Sequence, residues 1–157
     1  MFFHKHAVFY FTCFLSMIAI INGPNLNLLG KREPEIYGSE TFEDFLPRLR
    51  GQFPDYPIEY FQSNSEGEII DHIHRLGFEH PECIGIVINP GAYSHYSFAI
   101  ADAITSIKKP VVEVHISNIM KREDFRHQSV TASRCKGMVT GFGLDGYAMA
   151  IYHLIGL

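Results

Sequence analysis

Residues 30–38 read GKREPEIYG and set Tyr37 five residues after Arg32, in a segment bounded by glycines and broken by Pro34. No turn requires a tyrosine there, and no apolar period claims it as core. Elsewhere the chain holds Asn25 in NGPNLN, Asn89 and His95 in NPGAYSHYS, His115 and Ser117 in VEVHISN, and Arg126 in REDFRHQS. Phenols, imidazoles and guanidinium groups move protons or hold charge, and asparagine and serine hydrogen-bond a polar ligand. Each has an ordinary structural use as well. Asn25 can close a turn, Arg32 can be a solvated surface charge, and Tyr37 can plug the core. Asn89 before Pro90 and Gly91 suits turn chemistry, and His95 can cap a helix. His115 has fewer such explanations, because it ends an apolar strand. What decides between the readings is whether the fold gathers these residues.

The elements that must gather them are marked by short apolar runs. MIAIIN (17–22), IEYFQ (58–62), CIGIVIN (83–89), VVEVHIS (111–117) and GMVTG (137–141) read as strands. Between them TFEDFLPRLRGQF, SEGEIIDHIHRLGF and SFAIADAITSI have helical period, and DGYAMAIYHLI follows the last strand. Ile69, Ile70, Ile73 and Leu76 form one apolar helix face. Ser65 and Glu68 make a capping-box pattern, and Gly77 marks the end of that helix. Pro47 falls inside the first helical pattern and should kink or shorten it. His72 and His74, two apart on a helix, face different ways and read as surface residues rather than a metal pair.

Strands alternating with helices imply right-handed crossovers and a parallel sheet covered on both faces. The expected fold is α/β, a flavodoxin-like doubly wound sheet of five strands, which binds ligands at the carboxyl ends of its strands. Asn25, Arg32, Tyr37, Asn89, His95, His115 and Ser117 all fall at such ends. The connection after the first strand runs about 18 residues, far beyond the usual βα loop, as expected of a binding loop or lid.

The composition fits one soluble domain. The chain has 157 residues, 46% apolar and 19% charged, with a formal charge of −4. No basic stripe points to nucleic acid. Cys13, Cys83 and Cys135 have no metal or redox spacing, and their odd count speaks against a disulfide framework and for a reducing, cytoplasmic setting. The apolar run over residues 7–21 is shorter than the ~20 residues that span a bilayer, and no A-x-A-like cleavage site follows it. Residues 1–16 therefore read as an upstream extension, dispensable or a misassigned start, and residues 17–157 as a single domain without a membrane association.

From Met17 onward the sequence resembles the type II 3-dehydroquinate dehydratases, the small dehydroquinases of the shikimate and quinate pathways. INGPNLNLLGKREPEIYG, QSNSEGEIIDHIH, NPGAYSHYS, VEVHISN, REDFRHQS and GFGLDGY carry the resemblance, in family order. The chain departs from the pattern at Gln128, where a second histidine is common, in VTASRCKG after it, and at Pro47. These departures bear on the backbone after Arg126 and on the first helix rather than on the chemistry.

The resemblance implies loss of water from 3-dehydroquinate to give 3-dehydroshikimate through an enolate. It makes Tyr37 the base, His115 the general acid, Arg32 the group that activates Tyr37, and Asn25 the stabiliser of the enolate, through a bound water. Half-ionising a tyrosine of pKa ~10 near pH 7 requires roughly 4 kcal/mol. A guanidinium ~4 Å away, at an effective dielectric of about 20, supplies on the order of 4 kcal/mol. Burial opposes this, so one arginine is just sufficient. Glu113 lies two residues before His115, on the same strand face, and is placed to orient it. The resemblance assigns Asn89, His95, Arg126, Ile116 and Ser117 to the substrate, and Asp102 to a neighbouring subunit's site. It implies a homododecamer built from trimers and no metal or cofactor.

Two other classes share the expected fold. A flavin or nucleotide module would need a G-x-G-x-x-G or Ser/Thr-rich phosphate cradle, which the first loop lacks. A non-catalytic receiver domain would need an acidic pocket, where this chain puts Asn, Arg, Tyr and His.

Overall fold

Four of the six residues of the first strand are Ile or Ala with no polar partner to alternate with, the pattern of a strand buried on both faces. A computed structural model, which describes residues 15–31 and 39–157, places that strand, β1 (Met17–Asn22), inside the sheet. It is followed by α1 (Phe42–Gln52), β2 (Ile58–Gln62), α2 (Glu66–Phe78), β3 (Cys83–Asn89), α3 (Phe98–Ser106), β4 (Val111–His115), β5 (Gly137–Thr140) and α4 (Asp145–Ile155). Every pairing is parallel and the order is β2-β1-β3-β4-β5. This is the flavodoxin-like doubly wound sheet expected from the sequence. The register pairs Asn22 with Asn89, so the carboxyl ends of β1 and β3 finish level at the point where the winding reverses.

The two faces of β1 split the core. Ile18 and Ile20 join Phe42, Phe45 and Leu49 of α1 and Tyr147 and Ile151 of α4 on one side. Ala19 and Ile21 join Ile69, Ile73 and Leu76 of α2 and Ile100 and Ile104 of α3 on the other. All of these residues are at most 3% exposed. No helix of the described residues is long and apolar enough to cross a membrane.

Local expectations fare unevenly. The ladder of β4 ends at His115, so Ile116 and Ser117 turn out of the sheet at its carboxyl edge. Helix α1 continues through Pro47 to Gln52 and is not shortened by it. The capping box of α2 is only half formed: Ser65 Oγ accepts from the Glu68 N–H at 3.4 Å, but the Glu68 carboxylate takes the Ser63 hydroxyl at 2.5 Å. Gly77 does not end α2, which continues to Phe78. A Cβ at Gly77 would lie 2.1 Å from Ile107 Cγ2, so the glycine permits close packing of α2 on the end of α3. His72 is not a surface residue. It is 9% exposed, stacked on Phe61 at a centroid distance of 4.0 Å, with Nε2 3.2 Å from Glu59.

Residues 1–14 of the extension, and Arg32 and Tyr37 of the loop after β1, lie outside the described residues.

Candidate active site

The pocket lies at the carboxyl ends of β1, β3 and β4, among Asn25, Asn89, His95, His115, Ile116, Ser117 and Arg126. Seven of the nine described residues proposed from sequence therefore line one crevice. Glu113 and Asp102 do not line it. Glu113 sits behind it. Asp102 is exposed on α3 and borders a separate hollow with Phe98, Gln128 and Arg134.

Asn25 combines the turn role and the site role. It holds a left-handed backbone (φ 67°), which asparagine tolerates better than most residues, and so opens the 3-10 turn Leu26–Leu28. Its N–H donates to Asn64 Oδ1 at 3.0 Å. Across the reversal point, Gly23 lets the backbone of β1 approach that of β3: a Cβ there would meet the Pro90 carbonyl oxygen at 2.6 Å. The Gly23 N–H donates to the Asn89 carbonyl at 2.7 Å, locking the two strand ends together.

Asn89 is 3% exposed and its side chain is held from both ends. Oδ1 accepts from the Gly91 N–H at 3.2 Å, the turn chemistry its neighbours suggested. Nδ2 donates to Tyr147 Oη at 3.0 Å, and Tyr147 Oη donates in turn to Asn22 Oδ1 at 2.7 Å. This buried chain from α4 through β3 to β1 fixes the amide at the pocket floor. Burial drives the Tyr147 phenol strongly up, so it stays a neutral donor.

His95 ends a 3-10 turn after β3, and its Nδ1 donates to the Gln128 carbonyl at 2.8 Å. Its ring lies 6.3 Å from that of His115, nearly parallel, and edge-on to Phe125 at 5.9 Å. Burial lowers its pKa below the usual imidazole value; the bond to Gln128 works the other way, and His115 and Arg126 lower it further. A neutral ring with Nδ1 committed leaves Nε2 as the site-facing nitrogen.

His115 and Glu113 alternate along β4 onto the same face. His115 Nε2 lies 2.7 Å from Glu113 Oε1, with the carboxylate fully buried and the imidazole 7% exposed. Arg126 Nε donates to Glu123 Oε2 at 2.8 Å, and its guanidinium covers the Phe125 ring. The Ser117 hydroxyl accepts from Arg122 Nη1 at 3.2 Å.

Sequence reasoning missed several members of this arrangement. Arg122 lines the pocket but stands in a charged stretch, KRED, where nothing distinguishes it from a surface residue. Tyr147 and Asn22 show no signal in one dimension, since their partners are 58 and 125 residues away in sequence.

The model of the family described as dehydroquinase class II matches residues 16–155. A 3-dehydroquinate dehydratase of Caldicellulosiruptor bescii is 54% identical over 142 residues, covering 89% of this chain and 97% of the relative. One from Clostridium perfringens is 54% identical over 136 residues, covering 85% and 93%. Among solved structures, the type II dehydroquinase of Butyrivibrio crossotus superposes with a TM-score of 0.84 at 49% identity, covering 88% of this chain and 97% of that one.

Proposed function

The chain belongs to the class II dehydroquinase family, and from that premise we propose that it is a 3-dehydroquinate dehydratase, a hydro-lyase forming 3-dehydroshikimate through an enolate. The observation that carries the reading is the His115–Glu113 pair, 2.7 Å apart, opening on a pocket shared with Asn89, His95 and Arg126. A buried carboxylate behind an imidazole is the arrangement that fixes a histidine's tautomer and orientation.

In this reading the Tyr37 phenolate removes the proton next to the ketone, and the electron pair moves onto the carbonyl oxygen as an enolate. Asn25 stabilises that oxygen through a water. The enolate then collapses, and the hydroxyl on the adjacent carboxylate-bearing carbon leaves with a proton from His115. One proton is taken, one is given, and water is the only by-product. Asn89 and His95 hold ring hydroxyls, while Ser117, the backbone N–H groups of Ile116 and Ser117, and Arg126 hold the carboxylate. Arg32 keeps Tyr37 ionised. Asp102 serves a neighbouring subunit in a trimer-based dodecamer, and the enzyme works in the cytoplasm, in shikimate formation or quinate breakdown.

Purified protein mixed with 3-dehydroquinate should generate the absorbance of the conjugated enone. His115→Asn should reduce kcat by ~10²-fold or more, the usual effect of losing a general acid. A folded His115→Asn enzyme with near wild-type kcat would remove His115 from the role.

A further inference from the structure

Glu113 has more partners than its role toward His115 requires. Its Oε1 accepts from His115 Nε2 at 2.7 Å and from Ser129 Oγ at 2.7 Å, and its Oε2 accepts from Thr131 Oγ1 at 2.5 Å. Glu113 and Thr131 are fully buried. The two hydroxyls are themselves 3.2 Å apart, and Ser129 is pinned because its Oγ accepts from the Ala132 N–H at 3.0 Å. The next backbone N–H, that of Val130, donates to the Ser94 carbonyl at 2.8 Å and ties the segment to the turn after β3. An ionised carboxylate is an acceptor only, and three donors converging on one is the pattern that keeps a buried carboxylate charged.

We propose that Thr131, with Ser129, is a positioning residue for the dehydration: the two hydroxyls clamp Glu113 as an oriented anion, which in turn holds His115 ready to protonate the leaving hydroxyl. The inference rests on the reading of His115 as general acid. It also gives a use to the segment after Arg126, where the chain leaves the family pattern. Among the described residues, His95, whose ring lies 6.3 Å from His115, and Arg122 and Arg126, which line the same pocket, also face the pair. Cys135 lies near Glu113, its thiol pushed up by burial first and by that carboxylate second. Among the described residues, the imidazole and the two hydroxyls are the groups hydrogen-bonded to the Glu113 carboxylate.

Thr131→Val keeps the shape and removes the hydroxyl. The carboxylate then loses one of the contacts that fix it and is free to turn away from His115 Nε2, so the imidazole loses its orientation. kcat should fall about tenfold, the scale of one hydrogen bond to a charged group. KM should change less than twofold, and Thr131→Ser, which returns the hydroxyl, should restore kcat. If Thr131→Val does not fold, Ser129→Ala carries the same two measurements. Unchanged kcat in a folded variant, or a fall that Thr131→Ser does not rescue, with His115→Asn inactive, overturns the clamp while leaving the acid role standing. An active His115→Asn enzyme overturns both.

Discussion

Tyr147 Oη accepts the Asn89 amide N–H at 3.0 Å, so the last helix of the chain supports the floor of the pocket from beneath the sheet. The same phenol donates to Asn22 Oδ1 at 2.7 Å. Tyr147→Phe therefore strands two buried polar groups and should cost about 1–3 kcal/mol in urea denaturation, with KM for substrate rising as Asn89 loosens. Tyr60→Phe is the contrast. The buried Tyr60 hydroxyl lies beside the Asn22 amide but makes no well-formed hydrogen bond among the described residues, so its removal should stabilise rather than destabilise, by up to about 1 kcal/mol.

The Arg32–Tyr37 proposal is tested by pH. Arg32→Ala removes the charge that favours the phenolate, so the acidic limb of kcat should move to higher pH. Arg32→Lys keeps the charge without the planar fork and should be shifted less. Tyr37→Phe should reduce kcat by ~10²-fold or more with the fold intact. An Arg32→Ala enzyme whose activity drops with its acidic limb in place would assign Arg32 to substrate binding instead.

His72 makes stability depend on pH in a defined direction. Its pKa is lowered, first by burial and then by the Arg75 charge, with Glu59 opposing. The native state thus resists protonation that the unfolded chain accepts near pH 6.5. Above that value the contribution is fully present, and it is lost as pH falls below it. Between pH 7.5 and 5 the wild-type midpoint in urea should fall more steeply than that of His72→Gln. Equal slopes would mean that Glu59 cancels the effect of burial and Arg75, and a shallower wild-type slope that it holds the ring charged.

Two glycines in helices should respond with opposite sign to alanine. Gly77→Ala drives a methyl into Ile107 and should destabilise by about 1–3 kcal/mol. Gly51→Ala in α1 meets nothing within 4 Å and should stabilise by up to about 1 kcal/mol. Thermal melts of the two variants decide this, and kcat should stay at the wild-type value in both.

A chain beginning at Met17 should match the full-length protein in kcat, solubility and assembly. β1 starts at that residue, and its N–H already donates to the Glu82 carbonyl at 2.9 Å. Sedimentation and the enone assay make the comparison. Aggregation of the shorter chain, or the full-length chain found in membranes, would show that residues 1–16 have a job.

What could be read from the sequence divides along physical lines. The strands and helices were legible because burial on two sheet faces leaves continuous apolar runs and helical spacing, as in β1 and α2. Seven of the proposed site residues meet because strand ends meet in this fold. Failures came where a side chain had a choice of partner. Glu68 takes Ser63 rather than completing the capping box, and His72 turns inward onto Phe61 rather than outward. Gly77 looked like a helix end because close approach to Ile107 leaves the same one-letter mark. Ser129 closes a stretch that fits the family pattern and Thr131 falls in one that departs from it, yet nothing in the sequence says that they reach back 16 and 18 residues to Glu113.

The level ends of β1 and β3 also impose an order of events during synthesis. β1 emerges first, yet its inner neighbour is complete only when residue 89 has been made. At 5–20 residues per second the ribosome needs about 3–13 s to cover that distance. Throughout that interval Ile18, Ala19, Ile20 and Ile21, all solvent-free in the finished protein, are without one of the two strands that flank them. The nascent chain is thus most open to chaperone capture, or to association with another copy, before the pocket's second wall exists.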